Sequence, residues 1–232
     1  MGQIFHRSTN SIARLSIIGT IVVVSGLLWF AAEMQRSPYY MGQGQAPDQP
    51  VPFSHQHHVS GLGIDCRYCH TSVEVSGFAG IPPTKTCMNC HAQIWTNANL
   101  LEPVRESYRS GRSLVWTRVY DLPDYVYFDH GIHINKGVGC ASCHGRIDTM
   151  PLTWPNQALT MEWCLSCHRE PEKNLRPREQ VFNMRYEQPS SRNPVEFDGK
   201  SYTDQLELGS ALKTKYNLRS VRDITSCSTC HR

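Results

Sequence analysis

Hydrophobic residues are spread unevenly along the chain. Residues 15–32, LSIIGTIVVVSGLLWFAA, carry no charge and are long enough to cross a bilayer as one helix. Arg7 and Arg14 precede the run, and Trp29 and Phe30 lie near its far end. The positive-inside rule then puts the amino terminus in the cytoplasm, with the aromatic residues at the opposite headgroup zone. The alternative is a cleaved signal peptide. The run is longer than the usual signal core of about 7–15 residues, and Phe30-Ala31-Ala32 is a poor cleavage site. The expectation is a cytoplasmic stub and uncleaved single-pass anchor over 1–36, with residues 37–232 exported.

Beyond the anchor Leu, Ile, Val and Phe are sparse and strand-like alternation is weak. Residues 37–52, rich in Gly, Pro and Gln, predict a tether. Residues 92–122 predict a short helix, a Gly-Arg turn and an extended segment. Residues 169–203 are polar, with several Pro and Arg, and predict a surface wrap. TDQLELGSALKTKYNL predicts a helix capped by Thr203, with Leu206, Leu208 and Leu212 as its apolar stripe. The fold class expected is mostly helical and irregular, with little regular secondary structure.

Such a chain needs something else to form its core, and the cysteines indicate what. All ten fall into five pairs with two intervening residues: Cys66/Cys69, Cys87/Cys90, Cys140/Cys143, Cys164/Cys167 and Cys227/Cys230. Each pair is followed at once by histidine: His70, His91, His144, His168 and His231. C-x-x-C-H is the spacing for covalent c-type haem, with two thioethers to the porphyrin and the adjacent imidazole on iron. A zinc ribbon uses two C-x-x-C knuckles per metal, which strands one of five, and gives no role to the histidines. A redox dithiol is expected once. A disulfide scaffold does not repeat one gap five times. Five apolar macrocycles would supply the core that 26.4 kDa of polar polypeptide lacks. The net charge of +3 is too small to argue for nucleic acid, and no phosphate loop or Ser-His-Asp order appears.

An internal repeat supplies further ligands. PDQPVPFSHQHHVSGLGIDCRYCH starts at Pro47 and PDYVYFDHGIHINKGVGCASCH at Pro123. Both read Pro-Asp, Val-x-Phe-x-His-x-x-His, then CxxCH, and a second CxxCH follows each. The exported part therefore divides into a repeat over 47–91, a linker over 92–122, a repeat over 123–168, and a wrap with the fifth motif over 169–232. His55, His58, His130 and His133 are the expected distal ligands. Two His three apart share one face of a helical turn, displaced along its axis, and so face neighbouring haems. His57 has no counterpart in the second repeat, where Ile132 stands, and is expected at the surface; His6 precedes the anchor. Four distal histidines leave one haem short. Met150, or alternatively Met161, is expected to fill the gap, with His57 or an open iron as rivals; His/Met ligation raises the potential.

The tandem F-x-H-x-x-H…CxxCH units resemble class III multihaem cytochromes. Together with the anchor, CRYCHTSVEVSGFAGIPPTKTCMNCH, LTMEWCLSCHREPEKNLRPRE and the terminal SCSTCHR, they resemble the pentahaem cytochrome c subunit of bacterial alternative complex III, a quinol:electron-acceptor oxidoreductase. The resemblance implies an electron-transfer subunit with no catalytic residues, on the periplasmic side of the inner membrane. It implies an iron–sulfur, molybdopterin-oxidoreductase-like partner and polytopic subunits that hold quinol. A monohaem cytochrome, a copper protein or a terminal oxidase would accept the electrons. Two other classes compete. A stand-alone multihaem quinol dehydrogenase shares anchor and haems but usually lacks the tandem His-x-x-His layout. A nitrogen-compound reductase generally needs a five-coordinate haem, often with Lys in the motif, whereas all five motifs here end in His.

Overall fold

A computed structural model describes residues 4–231, which leaves 1–3 and 232 outside the described residues. The chain divides into two units, Met1–Gln43 and Gly44–Arg232. The first is built on α1 (Thr9–Arg36), which carries the uncharged run and has no buried residue. At 1.5 Å rise per residue its 28 residues span about 42 Å, more than a hydrocarbon core of about 30 Å. It is long and apolar enough to cross a membrane. Turns over 37–43 close back on its end, with Met41 N donating to Ser37 O and Gln43 N to Pro38 O.

The second unit is a succession of short helices in irregular chain. A π-helical turn (Gln56–Gly61) is followed by α2 (Cys66–Cys69), α3 (Thr84–His91), α4 (Glu102–Ser110), α5 (His130–Asn135), α6 (Cys140–His144) and α7 (Met161–Arg169). After a hairpin of β1 (Val195–Phe197) and β2 (Lys200–Tyr202) come α8 (Gln205–Lys215), α9 (Val221–Ile224) and α10 (Cys227–Cys230). Five of these helices, α2, α3, α6, α7 and α10, hold the five CxxCH motifs. Thirteen hydrophobic side chains are buried among the described residues, too few to stabilise a unit of this size unaided.

The largest apolar cluster gathers Leu175, Tyr202, Leu208, Leu212 and Tyr216. It ties α8 and the hairpin to the chain leaving α7. Three departures from the sequence reading lie here. The cap of α8 is Asp204, not Thr203: its Oδ1 accepts from Leu206 N at 2.9 Å and Glu207 N at 3.0 Å. A carboxylate there also opposes the positive helix end, which a hydroxyl does not. The apolar stripe is Leu208 and Leu212, both 0% exposed, while Leu206 is 50% exposed, because Leu206 sits off the i, i+4 row. The hairpin lies inside the segment expected to be surface wrap. Asp198 and Gly199 make its turn with φ of 52° and 77°, the double left-handed geometry of a two-residue type I′ loop. Asp204→Ala is expected to cost about 1 kcal/mol, read as a lower midpoint in a far-UV thermal melt.

Two smaller clusters sit beside the motifs. Val51, Leu101 and Val104 pack with Cys87 and Met88, and Val73, Ile134 and Val181 pack with Cys140.

Candidate haem-binding centres

The repeat read from the sequence is also a repeat of geometry. In the first copy Phe53 stacks on His58 (4.4 Å between ring centroids, 23° between planes) and meets His55 edge-on (4.9 Å, 87°). In the second copy Phe128 stacks on His133 (4.5 Å, 27°) and meets His130 edge-on (4.8 Å, 88°). The phenylalanine wedges the two imidazoles apart and turns them to different directions. Sequence reading noted these phenylalanines within the repeat but gave them no role; their identical register was the signal.

Three of the non-motif imidazoles stand opposite a motif imidazole. His58 lies 6.3 Å from His91, His130 lies 6.4 Å from His144, and His133 lies 6.1 Å from His168. A metal–imidazole bond of about 2.0 Å plus about 1.1 Å from nitrogen to ring centre, taken twice, gives roughly 6.2 Å for two imidazoles on opposite sides of one iron. The rings therefore stand at the separation that a bis-imidazole haem requires. His55 lies within electrostatic reach of His70, the pairing that repeat symmetry assigns to it.

The hydrogen bonds orient the rings. Nδ1–H donates to a main-chain carbonyl in His70 (Gly80 O, 2.7 Å), His58 (Ser54 O, 2.8 Å), His130 (Gly77 O, 2.9 Å) and His133 (Asp129 O, 2.7 Å). His168 (Ile224 O, 2.7 Å), His231 (Tyr125 O, 3.1 Å) and His91 (Ile94 O, 3.3 Å) do the same. His55 Nδ1 pairs with Thr153 Oγ1 at 2.9 Å. A donated Nδ1–H fixes the tautomer and leaves the Nε2 lone pair for a metal. Burial, aided by neighbouring imidazoles, pushes His55 and His144 down to about 4, so both are neutral and able to ligate at physiological pH.

The cysteines are unbridged. Burial first, and nearby thiols second, push Cys143 up to about 12. Burial likewise pushes Cys140 up to about 11. The attachment points differ in enclosure. Eight of the ten cysteines are half-buried, but Cys90 and Cys227 are exposed. The reason is local. In α3 it is Cys87 that packs on the Val51, Leu101 and Val104 cluster, and Cys90 comes in the last turn, past that cluster. Cys227 opens α10, a four-residue helix with no buried residue.

The motifs neighbour one another in a definite order. Asn89 of the second motif donates to the Tyr68 hydroxyl of the first at 3.0 Å, and Cys69 lies within electrostatic reach of Cys87. The chain after the first motif grips α5: Gly77 O accepts from His130 N, Gly131 N donates to Ser76 O, and Asn135 Nδ2 donates to Glu74 O. Cys140 feels Cys66, and Cys143 feels both Cys167 and Cys164. Cys164 feels Cys230, while His168 is anchored three residues before the fifth motif, at Ile224.

The remaining candidates separate. His57 is exposed and stands beside Trp95 at 5.6 Å. Trp95 holds a left-handed φ of 55°. Met150 is 2% exposed, and its carbonyl accepts from Gln56 N at 3.0 Å, on the first-repeat side. Met161 is 68% exposed and opens α7 three residues before Cys164. The ring facing His231 is Tyr125, at 5.8 Å.

Parts of the chain are similar to known cytochromes c. Residues 126–232 match the family described as cytochrome c7 and related cytochrome c. The multihaem cytochrome c subunit of menaquinone reductase from Nitratidesulfovibrio vulgaris is 36% identical over 122 residues, 52% of this chain and 51% of that protein. Cytochrome c-552 of Porphyromonas gingivalis is 33% identical over 86 residues, 32% of this chain and 16% of that protein. The chain thus spans about half the length of the first of these curated relatives and less of the second. It carries a c7-like multihaem cytochrome domain, mostly helical and irregular, together with one amino-terminal apolar helix.

Proposed function

We propose that this chain is a membrane-anchored relay with five covalently attached c-type haems, serving as the electron-transfer subunit of a quinone-linked respiratory complex. The observation that carries the reading is the 6.1–6.4 Å facing of motif and non-motif imidazoles. When bound, haem supplies a reversible one-electron iron couple at each motif.

The chain's own residues do the rest. Each cysteine pair would hold one macrocycle by thioethers. His70, His91, His144, His168 and His231 would each ligate one iron. His55, His58, His130 and His133 would supply a second ligand to the first four, in that order of motifs. Irons so ligated would leave no place for water or a small substrate, which argues for transfer rather than turnover and against a nitrogen-compound reductase. For the fifth motif, Met161 is better placed than Met150. Met161 shares α7 with Cys164, which neighbours Cys230, whereas Met150 is buried against the first repeat.

The neighbouring motifs support an order of centres of second, first, third, fourth, fifth. The two ends of the relay are then the second and fifth motifs, and the third is central. Cys90 and Cys227, the two exposed cysteines, belong to these end motifs, where electrons must enter and leave. The apolar helix anchors the relay, with the haem unit on the periplasmic face of the inner membrane. The resemblance to alternative complex III supports electrons arriving from quinol through an iron–sulfur, molybdopterin-oxidoreductase-like subunit. They would leave to a monohaem cytochrome, copper protein or oxidase. The menaquinone reductase relative favours a second reading, the same relay run toward quinone. The test is anaerobic mixing with menaquinol. Haem reduction is expected in the purified membrane complex and not in this chain alone. Reduction of the isolated chain would show a stand-alone quinol dehydrogenase instead.

The ligand planes make a further prediction. His130 and His144 are 8° apart and His58 and His91 are 67° apart. Near-parallel imidazoles give a rhombic low-spin signal, and strongly crossed ones a highly anisotropic signal. Low-temperature electron paramagnetic resonance should show both, and His58→Met should remove the anisotropic one.

A further inference from the structure

Residues 175–184 strap the third motif. Leu175 bridges Val138, Arg176 N donates to Gly137 O at 2.9 Å, and Cys140 N donates to Val181 O at 3.1 Å. Inside the strap lies Arg176, 8% exposed. One terminal nitrogen donates to Asn183 O at 3.2 Å, and the guanidinium lies 4.5 Å over the Tyr186 ring. Its Nε–H has no partner, and neither does the buried Tyr186 hydroxyl. Among the described residues no carboxylate pairs with it. Burial lowers its affinity for the proton, and the charges that it feels are those of Tyr186 and Cys140. Space for the guanidinium exists because residue 139 is glycine: a Cβ there would lie 2.2 Å from Arg176 Cζ.

An uncompensated buried charge is costly to a fold. Here it is held against the residue that precedes a thioether cysteine. An iron centre loses one unit of positive charge on reduction, so a fixed cation nearby in a low-dielectric setting favours the reduced form. We propose that Arg176 is a potential-setting residue for the haem at Cys140, Cys143 and His144, raising the reduction potential of the relay's central centre. The inference rests on the haem reading of that motif.

The experiment is a redox titration of the full membrane-anchored chain, monitored by electron paramagnetic resonance, after its haem content has been counted. In Arg176→Gln one step, that of the centre with near-parallel imidazoles, is expected to fall by about tenfold in its reduction equilibrium, ~59 mV for one electron. Arg176→Lys should keep most of that step in place. Five unchanged steps in Arg176→Gln would overturn the proposal. So would an equal fall in Arg176→Lys, which would trace the effect to packing rather than charge. If Arg176→Gln does not load five haems, Gly139→Ala displaces the same guanidinium, because the added Cβ would lie 2.2 Å from its Cζ. The same step should then fall, and an unmoved step would overturn the proposal. A native chain without haem at the third motif would instead sink the relay reading itself.

Discussion

Cys140→Ser with Cys143→Ser is expected to lower the haem content from five to four per chain and to stop electrons passing between the ends of the relay. The contacts put the third motif between two pairs. Cys140 neighbours the first motif and Cys143 neighbours the fourth, and α5 joins the third and fourth motifs by holding His130 and His133 one turn apart. Removing this centre leaves first and second haems on one side and fourth and fifth on the other. Rapid mixing of the complex with quinol should then reduce one group at the native rate and leave the other oxidised. Cys227→Ser with Cys230→Ser is the control. It also removes one haem, but an end one, so the other four should still fill together. Equal behaviour of the two variants would contradict the order.

Leu212→Ala is expected to destabilise the haem unit by about 3 kcal/mol, within the range of about 2–5 for truncating a buried leucine. Leu212 is 0% exposed and packs with Leu175, Tyr202, Leu208 and Tyr216. The loss reaches the centres because Leu175 begins the strap around the third motif, and because Lys136 Nζ, at the end of α5, donates to Tyr216 O at 2.6 Å. A thermal melt of the holo-protein should show a lower midpoint and earlier exposure of residues 175–184 to protease. Leu206→Ala, on the exposed face of the same helix, should fall within about 0.5 kcal/mol of the parent. A similar loss in both variants would mean that the helix faces its cluster differently.

The parts of this molecule that were legible in its sequence are those written in local spacing. CxxCH is a local signal, and so are the two copies of F-x-H-x-x-H. The apolar run of α1 and the helical turn carrying His130 and His133 needed only periodicity. What was hidden depends on chain segments meeting across long separations. No local rule pairs His58 with His91 or His168 with Ile224. Nor does spacing tell Cys90 from Cys143: both close a CxxC pair, yet one is exposed and the other half-buried, because different segments cover them. The buried Arg176 read as one basic residue in a polar wrap, because nothing nearby in sequence tells that Gly139 opens space for it. The hairpin was missed for a different reason. Phe197-Asp198-Gly199-Lys200 does carry the turn signature, but only three residues flank it on each side, too short for alternation to show. Sequence put Met150 ahead of Met161, since spacing says nothing of their surroundings: Met150 is 2% exposed, against the first repeat, and Met161 is 68% exposed on α7.

The central claim is that cysteine pairs at all five motifs hold iron porphyrin. The most direct measurement is the intact mass of the mature chain purified from its membrane, set beside its pyridine haemochrome. The account predicts a mass increased by five haems and an absorbance of five haems per polypeptide. A mass without them, with the ten sulfurs titrating as thiols or bound to zinc, would contradict it.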